Sequence, residues 1–157
     1  MKILVDTREQ APFAFDKYEC ETVQGTLPTG DYSLAGLKDR VAVERKSLDD
    51  LIGCLMGASR ERFERELARA AGLDRFAVVV EAGLQDMAQG RYRSKMQPHA
   101  ALQSVLAFQA RYGTAFLWAG NRQGAEYVTF HFLRHYLREA RERLNAITKA
   151  HGQEIQA

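Results

Sequence analysis

An α/β domain with a mixed central β-sheet flanked by helices is the fold class this 157-residue chain predicts. Residues 31–34 and 40–45 are strand-like runs around a loop holding Gly36 and Asp39, the pattern of an antiparallel hairpin. Residues 76–80 form an unbroken apolar run, as in a strand covered on both faces. Beyond it, helix and strand patterns alternate, which implies parallel neighbours in the same sheet. A hydrophobic share of 46% and a charged share of 27% are those of an ordinary globular chain. The length suits one core.

Taken in order, residues 2–5 read as a short buried strand, followed by Asp6-Thr7-Arg8-Glu9 and a turn at Ala11-Pro12. Residues 13–26 alternate irregularly and predict an extended segment, and Leu27-Pro28-Thr29-Gly30 is a turn. Ser47 is a good N-cap with Asp49 and Asp50 in the first turn, so a helix is expected from there to about Met56. Gly57-Ala58-Ser59 breaks it, and Ser59 is expected to cap a second helix over 60–71 that ends at Gly72. Residues 83–97 read as a polar loop bounded by glycines. A helix over 98–111 is closed by Gly113, and 114–118 is a last strand. From about 124 to 149 a long helix presents Val128, Phe132, Leu133, Tyr136, Ala140, Leu144 and Ile147 at helical spacing. No repeat, low-complexity tract or linker interrupts this order, so residues 1–157 are read as a single domain.

Several classes fall away on composition. No apolar run is long enough to cross a membrane, and Met1-Lys2 leads directly into Ile3-Leu4-Val5 without a signal segment. A cytoplasmic location is expected, in keeping with lone thiols at Cys20 and Cys54. No nucleotide-cofactor motif is present. Charge is uneven: residues 1–90 hold 12 Lys/Arg against 16 Asp/Glu, and residues 91–157 hold 10 against 4. Acids gathered in one part with positive charge in excess elsewhere suit a metal-using enzyme that grips a polyanion, and equally a normal surface with an Arg-rich helix.

The chemistry concentrates in Val41-Ala42-Val43-Glu44-Arg45-Lys46. In a strand Ala42, Glu44 and Lys46 share one face, and Val41, Val43 and Arg45 the other. The valines are expected in the core, with Glu44 and Lys46 over a cleft and small Ala42 leaving room beside them. Asp31 lies on the opposite arm of the hairpin and is placed to converge on Glu44. Asp6, Glu9 and Asp50 end neighbouring elements. Carboxylates of this kind hold hard cations such as Mg²⁺ or Mn²⁺, and an adjacent lysine faces the charge that develops on a phosphate. Any one of these acids taken alone is more simply a cap, a turn residue or a solvated charge; as a set with Lys46 they favour the functional reading.

Asp6-x-Arg8-Glu9, Gly30-Asp31-Tyr32 and Glu44-Arg45-Lys46-x-x-x-Asp50 resemble, in order and spacing, the signature of the XPF-type structure-specific endonuclease family. The resemblance implies a restriction-endonuclease-like core and metal-dependent cutting of branched, flapped or junction DNA. It implies Asp31, Glu44 and the backbone carbonyl of Arg45 as metal ligands. Lys46 would orient water or stabilise the pentavalent phosphate, and Asp6, Glu9 and Asp50 would complete or support the acidic centre. Arg8 and Arg45 fit a phosphate contact or a buried ion pair equally well. Family members commonly carry tandem helix-hairpin-helix modules, and some a helicase; the expectation here is a stand-alone nuclease domain without them. Where the family often has Gln four residues beyond the helix arginine, Arg62 is followed by Glu66, and an Arg62–Glu66 ion pair is the simpler reading.

For DNA contact, Arg62, Arg65 and Arg69 share a helix face, though Glu61, Glu64 and Glu66 make a salt-bridged solvent face equally open. Arg91-Tyr92-Arg93-Ser94-Lys95 offers three cations and a stackable aromatic without acids, or an ordinary loop. His131 and His135 have zinc-like spacing but no third ligand, and metal is not expected there. Tyr127, Phe130, Phe132 and Tyr136 outnumber what one helix face buries, which leaves a homodimer or heterodimer surface open. The competing function is a non-cleaving DNA-binding or scaffold subunit on the same fold. A junction resolvase or restriction-type nuclease is the third.

Overall fold

The computed structural model describes residues 1–152. Six strands form one sheet: β1 (Lys2–Asp6), β2 (Glu21–Gly25), β3 (Tyr32–Leu34), β4 (Val41–Lys46), β5 (Arg75–Val80) and β6 (Ala115–Trp118). Their spatial order is β2-β1-β3-β4-β5-β6. The pairs β1–β3 and β3–β4 are antiparallel, whereas β1–β2, β4–β5 and β5–β6 are parallel. The expected mixed sheet flanked by helices is therefore present. The extended segment expected within 13–26 is the edge strand β2, in parallel register with β1 from Lys2↔Glu21 to Asp6↔Gly25.

The helices are α1 (Leu48–Gly53), α2 (Gly57–Ala70), α3 (Leu84–Ala88), α4 (Pro98–Tyr112) and α5 (Arg122–His151). Ser47 caps α1 as expected, its hydroxyl accepting from the Asp50 N–H at 3.1 Å. Ser59 does not cap α2. That helix begins at Gly57, with Met56 at its N-cap and no side-chain cap bond. Gly57 takes φ +59°, a value that lets the chain turn directly from the end of α1 into α2. The polar loop expected over 83–97 contains α3, which a capping interaction from Asp86 to the Gly83 N–H at 2.8 Å opens. Gly113 ends α4 at φ +68°. None of the described helices is long and apolar enough to cross a membrane.

Alternation along the central strands divides the core between two faces. Ala42, Phe76, Val78 and Val80 pack with Leu51, Ile52, Phe63, Leu67, Val105 and Phe108 beneath α1, α2 and α4. Ile3, Val5, Tyr32, Leu34, Val41, Val43 and Val79 pack beneath α5 together with Phe13 and Phe15. The stretch before β2 is thus a core element. Phe13 stacks on Tyr32 at 5.1 Å, and its N–H donates to the Tyr32 hydroxyl at 2.9 Å. Tyr18 stacks on Phe130 of α5 at 4.3 Å. Along β4, Glu44 and Lys46 face the α1–α2 side and Arg45 faces the α5 side. Ala42 does not leave open room, because it is fully buried and the turn before β3 closes upon it.

Candidate active site

Gly30 sets that turn. Its φ of +83° is left-handed, and a Cβ there would stand 3.0 Å from both the Ala42 Cβ and the Val43 carbonyl oxygen. Only glycine allows so close an approach. The approach lets the Asp31 N–H donate to the Val43 carbonyl at 2.8 Å, while the Asp31 carbonyl accepts from the Asp6 N–H at 2.8 Å. Asp31 then uses its side chain where a longer β3 would use backbone. Its Oδ2 accepts from the Arg45 N–H at 2.7 Å. The carbonyl of a strand residue leaves on the same side as its N–H, so the Arg45 carbonyl also faces the Asp31 side.

Asp31 and Glu44, from opposite arms of the hairpin, line one cleft of about 260 Å³ between this turn and α2. Arg62, Glu66 and Arg69 line it from the helix, and Asp6, Arg8 and Thr29 from the other side. Glu44 is 8% exposed, and its Oε1 accepts from the Lys46 ammonium at 2.9 Å. Lys46 also lies over the Phe63 ring, 5.5 Å from its centroid. Burial, followed by the nearby Glu44 charge, pushes the Asp31 carboxyl up to about 7. Burial, followed by the carboxylate of Glu66, likewise holds Glu44 above the ordinary carboxylate range. Burial opposes charge on Lys46, but Glu44 overrides it and keeps the ammonium above its usual value.

Glu66 is the cleft residue that spacing misassigned. No ion pair joins it to Arg62, whose guanidinium instead donates to the Ser59 hydroxyl at 3.3 Å. Glu66 instead lines the cleft with Glu44, close enough for its charge to act on that carboxyl. The expected arginine stripe also splits. Arg62 and Arg69 reach the cleft, whereas Arg65 lines a separate depression with Glu61 and Glu64.

The other acids are spoken for or displaced. Asp6 accepts four bonds, from the Arg8 N–H (2.9 Å), Nε (2.7 Å) and Nη2 (3.0 Å) and from the Leu27 N–H (2.7 Å). Arg8 above all holds its carboxyl down at about 2. Asp6 therefore borders the cleft as a saturated group. Glu9 lies against Arg45, in a bidentate pair at 2.8 and 3.0 Å. Arg45 also meets Glu81 at 3.2 Å, and Glu81 meets Arg122 at 3.0 Å. That network belongs to the opposite side of β4, so Glu9 supports the strand that carries the site. Asp50 is exposed on α1 and outside the cleft. Spacing alone could not show that the first turn of α1 points away.

Of the basic loop, Arg91 pairs with Asp86 at 2.8 Å, and Arg93, 94% exposed, lies 3.7 Å from Asp49. Lys95 is exposed. Tyr92 is not free to stack on a base, because it packs on the core and its hydroxyl donates to the Met96 carbonyl at 2.6 Å.

Residues 5–131 match the family model described as the ERCC4 domain. The chain belongs to the ERCC4 domain family. The site of this ERCC4 domain falls inside the matched span, from Asp6 to Arg69. XPF from Aeropyrum pernix shares the fold, with a TM-score of 0.70 and 23% identity over 87% of this chain and 61% of that one. The same protein solved in complex with DNA superimposes with a TM-score of 0.66 and 22% identity, over 88% and 66% of the two chains. This ERCC4 domain thus spans about two thirds or less of those solved chains. No match was found among curated proteins.

Proposed function

We propose that this chain is a DNA endonuclease that hydrolyses phosphodiester bonds with Mg²⁺ or Mn²⁺, near flaps, forks or single-to-double-strand junctions, in repair or recombination. One observation carries the reading. Asp31 and Glu44 converge in a cleft with too few internal donors for their charge. Structural acids such as Asp6 are saturated; these two are held ready for an external cation. The DNA in the complex of XPF from Aeropyrum pernix supports the choice of polymer.

The residues fit a hard divalent ion. No three His, Cys, Asp or Glu side chains form a metal cage among the described residues. Mg²⁺ does not require one, since it keeps several waters and uses one or two carboxylates together with substrate phosphates. Asp31 and Glu44 would hold it, and the Arg45 carbonyl faces the same side. When bound, such an ion polarises the phosphate and makes water a better nucleophile. The chain's own groups do the rest. Lys46, charged and packed against Phe63, offsets negative charge accumulating on the phosphate. Arg8, Arg62 and Arg69 rim the cleft and place the strand. The Glu9–Arg45–Glu81 network fixes β4 so that Glu44 and Lys46 cannot drift.

The test is cleavage of labelled duplex, flap, fork and four-way DNA in Mg²⁺, Mn²⁺ and EDTA, with Glu44→Ala alongside. Metal-dependent cutting of a junction substrate, reduced at least about 100-fold by the substitution, is the expected result. DNA binding without cutting in either metal would make the chain a scaffold subunit instead.

A further inference from the structure

Two buried side-chain oxygens among the described residues lack any hydrogen-bond partner, the hydroxyls of Thr29 and Thr129. They differ in setting. Thr129 lies within α5, where a small rotation brings a threonine hydroxyl to a carbonyl of the preceding turn. Thr29 lies in the turn before β3, outside any helix. It is 6% exposed and lines the same cleft as Asp31 and Glu44.

The backbone is anchored on both sides of Thr29. Leu27 is clamped through its N–H by Asp6 at 2.7 Å and through its carbonyl by Arg8 at 2.8 Å. Gly30 is pressed against Ala42 and Val43. Leaving a buried hydroxyl unpaired is unfavourable, and valine has nearly the same shape without that cost. A threonine kept in such a place implies a partner that arrives with a ligand.

The ligand's chemistry follows from the neighbours. Thr29 shares the cleft with the guanidinium groups of Arg62 and Arg69, with the Asp6–Arg8 ion pair, and with the carboxyls of Asp31, Glu44 and Glu66. Carboxylates do not call for an anion, but Arg62 and Arg69, which pair with no acid among the described residues, do, and a hydroxyl donates well to a phosphate oxygen. We propose that the Thr29 hydroxyl, unpaired and therefore free to turn about χ1 toward the cleft its residue borders, is a phosphate-positioning donor, which bonds a non-bridging oxygen of the DNA strand lying there. This rests on the endonuclease reading and adds to it a residue outside the three signature motifs.

The test uses the full chain and a fluorescein-labelled forked DNA in EDTA, where binding is read by anisotropy without cleavage. Thr29→Val removes the hydroxyl and keeps the shape; Thr29→Ser keeps the hydroxyl. Expected are about tenfold weaker binding by Thr29→Val, the value of one lost hydrogen bond, and near-wild-type binding by Thr29→Ser. The melting temperature of Thr29→Val should equal or exceed that of wild type, because no internal bond is lost. Wild-type binding by Thr29→Val overturns the proposal. So does a lowered melting temperature, which would make the hydroxyl structural, and so does failure of serine to restore binding. If the wild-type chain itself binds no DNA, the endonuclease reading falls together with this one.

Discussion

Glu44 and Arg45 are adjacent in β4, yet their sides of the sheet obey opposite rules. On the α5 side Arg45 is 15% exposed and meets Glu9 and Glu81, which are 4% and 13% exposed, with every charge answered. Glu9 is accordingly held below its ordinary range despite burial, by the hydrogen bonds from Arg45. On the α2 side Asp31, Glu44 and Glu66 crowd together around one lysine, and burial pushes Asp31 and Glu44 upward. Both sides hold buried carboxylates, so burial of acids does not by itself mark a site. The distinction lies in whether internal donors saturate them, and groups left unsatisfied by a well-packed fold are the ones kept for a ligand.

The comparison breaks most sharply under paired substitutions. Arg45→Ala strands the buried carboxylate of Glu9 and leaves Glu81 with Arg122 alone, and should destabilise the protein by about 3–5 kcal/mol, read as a shift in the urea midpoint. Glu44→Gln removes a repelled charge of similar burial and should leave stability within about 1 kcal/mol of wild type. Equal losses in the two variants would erase the distinction between the sides.

A titration sharpens it further. Asp31 has a folded-state value near 7 against an ordinary 3.8. Folding therefore favours its protonated form, and that stabilisation is complete below about pH 4 and is lost as pH rises through 7. Asp6 has a folded-state value near 2. Its contribution is present above about pH 4 and disappears as pH falls toward 2. In EDTA the melting temperature should thus fall between pH 5 and pH 8.5, and Asp31→Asn should flatten that fall. A wild-type melting temperature that rises across the same interval would contradict the assignment of Asp31.

The smallest effect concerns the rim. Arg62 is exposed and has only a 3.3 Å contact to Ser59. Arg62→Ala should weaken binding to all DNA sequences alike and reduce the slope of log affinity against log salt by about 1. An unchanged slope would remove Arg62 from the binding surface.

Much of this arrangement was legible in the chain. Alternation along 41–46 placed Glu44 and Lys46 on one face and Arg45 on the other, because a strand's side-chain period is 2 whatever surrounds it. Ser47 announced the start of α1 through local capping chemistry. The errors arose where long-range packing decides. Glu66 was assigned to Arg62 by i,i+4 spacing, but the docking of α2 on β4 offers it Glu44 instead. Asp6 resembled a ligand until Arg8 and the Leu27 N–H, 21 residues away, were found to occupy both its oxygens. Asp50 kept the motif's spacing and still points to solvent. The parallel pairing of β2 with β1 has no signature in either strand, since their partnership is formed only by the chain between them.

One bond has a further consequence. The Arg45 amide proton is held by a titrating side-chain oxygen of Asp31, not by a carbonyl of a neighbouring strand. Its resonance in a ¹H–¹⁵N spectrum should therefore move with the ionisation of Asp31 near pH 7, well above the range in which Asp6 and Asp86 act on the amides of Leu27 and Gly83. That single cross-peak would serve as a natural voltmeter for the acidic pair, without a label or an altered residue.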